Sequence, residues 1–417
     1  MATTPCVALL GTCDAKLEEL LFLRRTIEGN DVDVILMDVG RCHTVHDAIN
    51  ITQRKLIGDF GDGKDVSELP RGEVIKCMAA CATKAVTKFF QHDQIHGIVS
   101  AGGSGGTSLA AKVMRNALPI GFPKMIVSTV ASGDTGPIVG ETDITMMYSV
   151  VDVAGLNKVL RNVLSNAGAA VAGMAHAYVS RKQNTTPPEK KRVGLTMFGV
   201  TTPAVDAIRH YLETNYAIET YVFHATGHGG KAMERLIREG GLDAVLDLTT
   251  TEICDHITGG VMSAGEHRLE SAAEAGIANV VSVGATDMTN FGPMDTVPER
   301  YKGRKLYEHN PVVTLMRTSV DEATRVGGFI AEKLRRHAKN PKAIQVWLPK
   351  GGISMIATPG GPFEDAEADA ALFDAIRDGL AGSGIEVVED GRAINDESFA
   401  YDVAEALVKN MGIRSAH

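Results

Sequence analysis

Short apolar runs alternate with helical patterns along the whole chain, and this alternation is the feature that most restricts its fold. Runs such as Cys6–Gly11, Asp33–Asp38 and Gly97–Ser100 are strand-like, whereas Leu17–Ile27 and Glu73–Phe90 repeat apolar residues at helical spacing. Continuous apolar strands that alternate with helices are typical of βαβ units, in which helices cover both faces of a parallel sheet. The sequence therefore predicts an α/β fold.

The alternation restarts after a polar segment with two prolines, Arg181–Lys191, which has the composition of a linker. Further strand-like runs occur on both sides of this segment: Met125–Thr129, Ile144–Val150, Val193–Phe198, Ile218–His224, Ala244–Leu248, Asn279–Val283, Val312–Leu315, Ile344–Leu348 and Ile385–Val388. At roughly 100–200 residues per domain, the length suggests two domains. We expect two Rossmann-like domains, residues 1–185 and 190–417, each a mainly parallel sheet flanked by helices.

Charge and cysteine content argue against several classes of function. A formal net charge of −9 without a long basic run makes a nucleic-acid partner unexpected, because an acidic surface repels the phosphate backbone. No apolar run approaches the roughly 18 residues of a membrane span, so no membrane partner is expected. The six cysteines form no C-x-x-C pair and the first residues do not resemble a signal peptide, which predicts reduced thiols in the cytoplasm.

The strongest candidate site is the glycine-rich segment 100–108, which follows a predicted strand and precedes the predicted helix Leu109–Arg115. Ligands of open α/β sheets bind outside the carboxyl ends of the strands. Glycines allow the backbone to approach a ligand closely, and the amide N–H groups at a helix start favour an anion. We predict that a phosphate or a carboxylate is bound here by glycines and hydroxyl side chains: Gly102, Gly103, Ser104, Gly105, Gly106 and Thr107.

The loops after the first two strands are weaker candidates. Gly11, Thr12, Asp14 and Lys16 offer a tight glycine, a hydroxyl, a carboxylate and an ammonium group within one turn. The alternative is an ordinary βα turn in which Asp14 caps the following helix. Asp38 ends the second strand, where a carboxylate can accept hydrogen bonds from a ribose, the alternative being a simple turn.

The loop after the fourth strand adds a carboxylate and two hydroxyls to the candidates. Its residues are Ser132, Gly133, Asp134 and Thr135. Asp134 is a candidate ligand of Mg²⁺, and the alternative is an Asx turn.

A hydrolase nucleophile elbow is a further alternative, because Gly102-x-Ser104-x-Gly106 fits its pattern. An elbow also needs an acid and then a histidine further along the same sheet, and His176 is the only histidine that follows in the first domain.

Polar loops again follow the predicted strands of the second domain. The glycine-rich loop after Ile218–His224 is a second candidate anion cradle. So many uncommitted polar groups suggest a substrate, because a domain that only packs would not need them. The candidate residues are Thr201, Thr202, His224, Thr226, Gly227, Gly229, Gly230, Thr250 and Glu252.

A series of motifs follows in order along nearly the whole chain. They are Gly11-Thr12-x-Asp14-x-Lys16-x-x-Glu19-Leu20, Asp38-Val39-Gly40, Gly102-Gly103-Ser104-Gly105-Gly106-Thr107, Ser132-Gly133-Asp134-Thr135, Met146-Met147-Tyr148-Ser149-Val150-x-Asp152, Gly155-Leu156-Asn157, Met197-Phe198-Gly199-x-Thr201-Thr202-Pro203, His224-Ala225-Thr226-Gly227, Asp247-Leu248-Thr249-Thr250-Thr251-Glu252 and His309-Asn310-Pro311. Jointly they resemble the Tm-type ATP-binding domain family, which comprises the N-terminal domain of a plant tomato mosaic virus resistance protein and its bacterial and fungal relatives. The resemblance implies two Rossmann-like domains, a homodimer, and ATP bound by the first-domain loops. Ala15 stands where the family has threonine, so no hydroxyl contact is expected there.

Two hypotheses for the function follow. In the first, the protein binds ATP, which stabilises a conformation or a partner interface without being consumed. In the second, it is a cytosolic metabolic enzyme, hydrolase or lyase-like, acting on a small phosphorylated or carboxylate substrate in an interdomain cleft. Asp134 with Mg²⁺, or His224 as an acid or base, would then take part in the reaction. The sequence leaves open whether the protein is an enzyme.

Overall fold

The computed structural model describes residues 4–184 and 190–413, and the chain divides into two compact units, Met1–Thr186 and Pro187–His417. The predicted linker is described only at its two ends, because residues 185–189 lie outside the described residues. Within the described ranges, no helix combines the length and the apolar character that crossing a bilayer requires.

The N-terminal unit is built around one parallel sheet. Its strands are β1 (Cys6–Gly11), β2 (Asp33–Asp38), β3 (Gly97–Gly102), β4 (Lys124–Ser128) and β5 (Thr145–Tyr148), in the order β2-β1-β3-β4-β5. Its helices are α1 (Cys13–Glu28), α2 (Gln53–Phe60), α3 (Arg71–Gln91), α4 (Ser104–Ala117), α5 (Gly136–Val139) and α6 (Lys158–Gln183). Apolar side chains of α1 and α6 form one core with the sheet, and those of α2, α3 and α4 form another. The sheet is therefore covered on both faces, as the continuous apolar strands predict.

The C-terminal unit contains a larger parallel sheet and a small antiparallel one. Its strands are β6 (Lys191–Met197), β7 (Ile218–His224), β8 (Ala244–Thr249), β9 (Ala278–Gly284), β10 (Met288–Phe291), β11 (Leu306–Asn310), β12 (Val313–Arg317), β13 (Ile344–Pro349) and β14 (Glu386–Asp390). The parallel sheet has the order β14-β13-β9-β8-β6-β7, and the antiparallel sheet has the order β10-β12-β11. The helices are α7 (Thr202–Asn215), α8 (His228–Arg238), α9 (Glu252–Thr258), α10 (Glu270–Ala275), α11 (Val320–His337), α12 (Ala366–Leu380) and α13 (Glu397–Met411).

The predicted α/β class with mainly parallel sheets is confirmed, and the antiparallel sheet is the main difference. The run Val312–Leu315 was expected to join the parallel sheet, but its residues 313–315 belong to β12, the centre of the antiparallel sheet. Its neighbour β11 is almost entirely exposed and largely polar, so it lacks the apolar signature of a buried strand.

The helix after β3 begins earlier than predicted. α4 starts at Ser104 rather than Leu109, so the glycine-rich segment is not a long loop. Gly103 is the N-cap residue, and Gly105 and Gly106 lie in the first helical turn. Glycine lowers helix propensity, which is why the sequence pattern placed these residues in a loop. The early start carries the backbone amides of the helix terminus directly to the end of β3.

Candidate functional site

A cavity with a volume of about 740 Å³ lies at the carboxyl ends of the strands of the N-terminal sheet. This volume falls in the range of roughly 300–1,000 Å³ that is usual for small-molecule sites. Segments that follow each of the five strands contribute to its wall, and α3 contributes residues from its first two turns. The predicted binding residues that line it are Thr12, Asp14, Lys16, Gly102, Gly103, Ser104, Gly105 and Gly106.

The N-terminus of α4 opens into this cavity without a side-chain cap. The amide N–H groups of Ser104, Gly105 and Gly106 therefore have no partner within the helix, and the helix dipole places partial positive charge there. A Cβ atom added to Gly105 would lie 3.2 Å from Nη2 of Arg71, which places that guanidinium beside the helix start. A Cβ atom on Gly106 would meet nothing within 4 Å, so this residue faces open space. This end of the cavity can bind an anion.

Lys16, Arg41 and Arg71 line the cavity, and none of them pairs with a carboxylate in the described part of the chain. The Lys16 ammonium donates to the carbonyl of Val153, and Nη2 of Arg41 donates to the carbonyl of Leu69 at 2.7 Å. The Arg71 side chain forms no hydrogen bond or ion pair within the described part of the chain. These three cationic groups outnumber the two carboxylates of the lining, Asp14 and Asp152, so the lining has a net positive charge although the protein as a whole is acidic.

Asp14 holds two loops together rather than capping a helix. Its Oδ2 accepts hydrogen bonds from the backbone N–H groups of Arg41 at 3.0 Å and Cys42 at 2.9 Å. A Cβ atom on Gly40 would lie 2.5 Å from Oδ1 of Asp14, so glycine is needed for this close approach. The expected cap by Asp14 is wrong, because Thr12 is the N-cap residue of α1. Asp14 instead shapes the cavity wall between β1 and β2.

Asp38 is completely buried and does not line the cavity. Its Oδ1 accepts hydrogen bonds from the backbone N–H groups of Cys13 at 3.0 Å and Gly40 at 2.9 Å, while Oδ2 has no partner in the described chain. Burial raises the pKa of this carboxyl. The structure therefore gives Asp38 a role inside the fold, and the expected contact with a ribose has no geometric support.

The remaining first-domain candidates lie outside the cavity. Gly11 packs against Leu20, and the buried Thr107 hydroxyl is 2.6 Å from that of Ser128. Asp134 forms the Asx turn that was its alternative, since Oδ1 accepts from the N–H of Gly136 at 3.0 Å. The loop residues that do not line the cavity are Ser132, Gly133, Asp134 and Thr135.

The hydrolase alternative fails on geometry. Ser104 lies at the carboxyl end of the sheet, but His176 lies in a surface groove with Pro5 and Asp33, at the amino ends of the strands. The His176 ring is 3.0 Å from the carbonyl oxygen of Asn30. A histidine at the opposite end of the strands cannot activate the serine.

Sequence reasoning missed two arginines and one wall of the cavity. Arg41 and Arg71 gave no signal, because nothing in their local sequence marks them and only the fold brings them to the glycine segment. The wall formed by residues 148–152, after β5, belongs to one of the motifs above, but its side chains did not indicate a chemical role. Asp152 is exposed in this wall and forms no hydrogen bond or ion pair in the described chain.

The second candidate anion cradle is already occupied by a carboxylate of the protein itself. Oε1 of Glu252 accepts hydrogen bonds from the N–H groups of Gly227 at 2.7 Å and Gly230 at 3.0 Å. A Cβ atom on Gly230 would lie 2.0 Å from Oε2 of Glu252, so the carboxylate fits closely against this backbone. The loop thus binds a carboxylate of the protein, which occupies the position that a ligand anion was expected to take.

Arg268 joins Glu252 to two other buried carboxylates. Its Nε is 2.9 Å from Glu252, its Nη2 is 2.7 Å from Asp247, and its Nη1 is 3.4 Å from Glu234. The Arg268 side chain has no exposed surface. Burial raises the pKa of Glu234. We call Arg268, Glu234, Asp247 and Glu252 the Arg268 cluster.

Most of the other polar candidates of the second domain are not uncommitted, which weakens the case for a substrate there. The hydroxyls of Thr201 and Thr249 are 2.8 Å apart, and Thr250 donates to the carbonyl of Ser282 at 3.0 Å. The exposed ring of His224 stacks on Phe198 with the centroids 5.7 Å apart. The hydroxyls of Thr202 and Thr226 also donate to backbone carbonyls, whereas Gly229 packs closely against the backbone of His224.

A group of possible metal ligands occurs on the C-terminal unit, where Glu270, Glu274 and His337 offer ligand atoms within 4.8 Å of one another. These atoms already have partners. Lys333 pairs with Glu270, and Nδ1 of His337 is 2.7 Å from Glu274. The arrangement is that of a surface ion-pair network.

Two buried carboxyls of the C-terminal unit predict a pH dependence of its stability. Burial raises the pKa of both Asp255 and Asp287 to about 7. Unfolded carboxyls titrate near pH 3.9, so these two groups hold their protons more tightly in the folded state. Their contribution to the free energy of unfolding is therefore fully present below about pH 4 and is lost as the pH rises through 7. Over this range, each group lowers the free energy of unfolding by at most about 1.4 kcal/mol per pH unit. Urea unfolding between pH 4.5 and 8 should show a flatter profile for Asp287→Asn than for the wild type, and parallel profiles would contradict this assignment.

Comparison with known proteins places the chain among relatives in bacteria and plants. Models for the N-terminal and C-terminal domains of the Uncharacterised protein family (UPF0261) match residues 5–180 and 190–411. A UPF0261 protein of Clostridium tetani (strain Massachusetts / E88) is 44% identical over 407 residues, which cover 97% of this chain and 98% of that protein. UPF0261 protein mlr3387 of Mesorhizobium japonicum is also 44% identical, with coverage of 96% and 98%.

A tomato protein is a more distant relative. The ToMV susceptible protein tm-1(GCR26) of Solanum lycopersicum is 38% identical over 435 residues, which cover 100% of this chain but 57% of the tomato protein. The expected relationship to the tomato proteins is thus confirmed, although this chain spans little more than half of that relative. A crystal structure of UDP-N-acetylglucosamine 2-epimerase is 12% identical, covers 67% of this chain and 79% of its own, and has a TM-score of 0.20, too low to carry an argument about function. On the two family matches and the bacterial relatives, the chain belongs to the UPF0261 family.

Proposed function

We propose that the N-terminal unit binds ATP in the cavity at the carboxyl ends of its strands, with the phosphates at the start of α4. The observation that carries this proposal is the uncapped helix terminus, whose amide N–H groups face the same cavity as Lys16, Arg41 and Arg71. Backbone amides at a helix start and unpaired guanidinium groups are the groups that bind phosphate in proteins. The resemblance to an ATP-binding family agrees with this chemistry.

Asp152 would hold the Mg²⁺ ion that accompanies ATP. It is exposed in the cavity wall and its carboxylate is not engaged within the described chain, whereas the carboxylate of Asp14 is bonded to backbone amides. Mg²⁺ is commonly held by one or two carboxylates together with phosphate oxygens and waters. One free carboxylate is therefore sufficient for this role.

Calorimetric titration with ATP, with and without Mg²⁺, tests the proposal. The wild type should bind ATP, and Mg²⁺ should increase the affinity. In Asp152→Asn this increase should be lost, while binding of ATP without Mg²⁺ should be unchanged or stronger because a negative charge has been removed. Absence of ATP binding in the wild type would refute the proposed function, and an unaltered Mg²⁺ effect in Asp152→Asn would refute only the role of that residue.

No second activity is proposed for the C-terminal unit. The enzyme hypothesis depended on polar strand-end groups that were free to meet a substrate, and most of these groups form hydrogen bonds within the C-terminal unit. The role suggested for Asp134 also loses its basis, because this residue lies outside the cavity of the N-terminal unit.

A further inference from the structure

The cavity wall that follows β5 differs in character from the wall at α4. Tyr148 and Val150 both line the cavity, and they are 43% and 59% exposed. No hydrogen bond or ion pair of either side chain occurs in the described chain. An exposed aromatic ring beside an exposed branched side chain is the kind of surface that the planar ring of a ligand covers favourably.

Val150 has a strained backbone conformation. Its φ is +65°, and among the described residues it is the only β-branched one with a positive φ. The N–H of Val151 donates to the carbonyl of Ser149 at 2.7 Å, which closes a three-residue γ-turn with Val150 at its centre. Such turns are rare, and a β-branched residue at positive φ is disfavoured by contact of its side chain with the backbone.

The surrounding structure maintains this turn. The hydroxyl of Ser149 donates to the carbonyl of Val151 at 2.6 Å, and the N–H of Ser149 donates to the carbonyl of Ser128 in β4 at 3.1 Å. Glycine would fit position 150 without strain, so valine here costs stability. Backbone strain that is maintained next to a cavity is typical of binding sites.

The strand order sets the distance between this wall and the start of α4. The wall follows β5 and α4 follows β3, with β4 between them. Neighbouring strands are about 4.8 Å apart, so the two sites are separated by roughly 10 Å. A ribose and its first phosphate groups can bridge such a gap between a base and the terminal phosphates.

We propose that Tyr148 and Val150 form the binding surface for the aromatic base of the nucleotide, with Tyr148 stacking on the ring and Val150 packing against its edge. This inference rests on the proposed function, because it assumes that the phosphates bind at α4. The γ-turn projects the Val150 side chain into the cavity. Contact of this side chain with the base then offsets the cost of the strained Val150 backbone.

Substitutions at these two positions separate base binding from phosphate binding. Each protein is tested for its affinity for ATP and, by competition with ATP, for inorganic tripolyphosphate. The proteins are the wild type, Tyr148→Ala, Tyr148→Phe and Val150→Gly. Tyr148→Ala should weaken ATP binding by roughly 10- to 100-fold, the usual effect of removing an aromatic stacking partner, and leave tripolyphosphate unchanged. Tyr148→Phe should retain the affinity of the wild type for both.

Val150→Gly provides a readout that a purely structural role would not produce. Its melting temperature should equal or exceed that of the wild type, because glycine adopts a positive φ readily, while its affinity for ATP should fall. The inference is overturned if ATP binds Tyr148→Ala and Val150→Gly as tightly as it binds the wild type, or if both ligands weaken equally. In either case, the proposed function would still be supported if ATP binding depends on the residues at the start of α4. A wild type that does not bind ATP would refute both.

Discussion

Gly106→Asp is expected to weaken ATP binding strongly while leaving the N-terminal unit as stable as before. An aspartate side chain at this position projects into open cavity space, because a Cβ atom there meets nothing within 4 Å. Its carboxylate would lie within a few ångströms of the bound phosphates, and repulsion of about 2–4 kcal/mol at that range weakens binding by roughly 30- to 1,000-fold. Titration of the variant with ATP measures the loss.

Gly106→Asp should not destabilise the N-terminal unit, so a loss of ATP binding can be assigned to the added charge. Position 106 lies in the first turn of α4, where a negative side chain interacts favourably with the helix dipole, and aspartate is a better helix residue than glycine. The melting temperature should therefore not fall. Ser108→Asp is the matched control, since it adds the same charge in the same helix at an exposed residue outside the cavity. If both variants bind ATP equally, the phosphates do not lie at the start of α4.

Arg268→Met is expected to destabilise the C-terminal unit by about 3–5 kcal/mol, the usual cost of removing one partner from a buried ion pair. The substitution leaves Glu234, Asp247 and Glu252 buried together without a cation. Arg268 opposes the burial that raises the pKa of Glu234, so this pKa should rise further in the variant, and the deficit relative to the wild type should be largest at high pH and shrink toward pH 5. Urea unfolding at several pH values measures both effects.

Arg377→Met is the control for the loss of an arginine that pairs with two carboxylates. Arg377 pairs with Asp374 and Glu389, but its side chain is 48% exposed. Exposed pairs contribute little because water solvates the charges in both states, so the melting temperature of this variant should not change measurably. An equally small effect of Arg268→Met would show that the buried carboxylates are protonated or solvated, and would contradict our description of the cluster.

The sequence by itself determined the fold class, and it pointed to the strand ends and the glycine-rich segment that line the cavity. Periodicity is a local property, and alternating apolar strands and helices can bury their apolar surface only as layered α/β units. The glycine-rich segment was recognisable for the same reason, because glycines and hydroxyls beside a strand end form a local pattern. The start of α11 is likewise set by a local pattern, because Ser319 and Glu322 form a reciprocal capping box.

Only the tertiary structure decided which of the candidate polar groups are free to bind a ligand. Arg41 and Arg71 became part of the site through the packing of elements that are distant in sequence, and their local sequence contains no sign of this. Glu252 and the loop 227–230 both looked like ligand-binding groups, yet they bind each other. A donor or acceptor is available only when no other part of the chain satisfies it, and that depends on contacts between residues far apart in sequence, which local patterns do not encode.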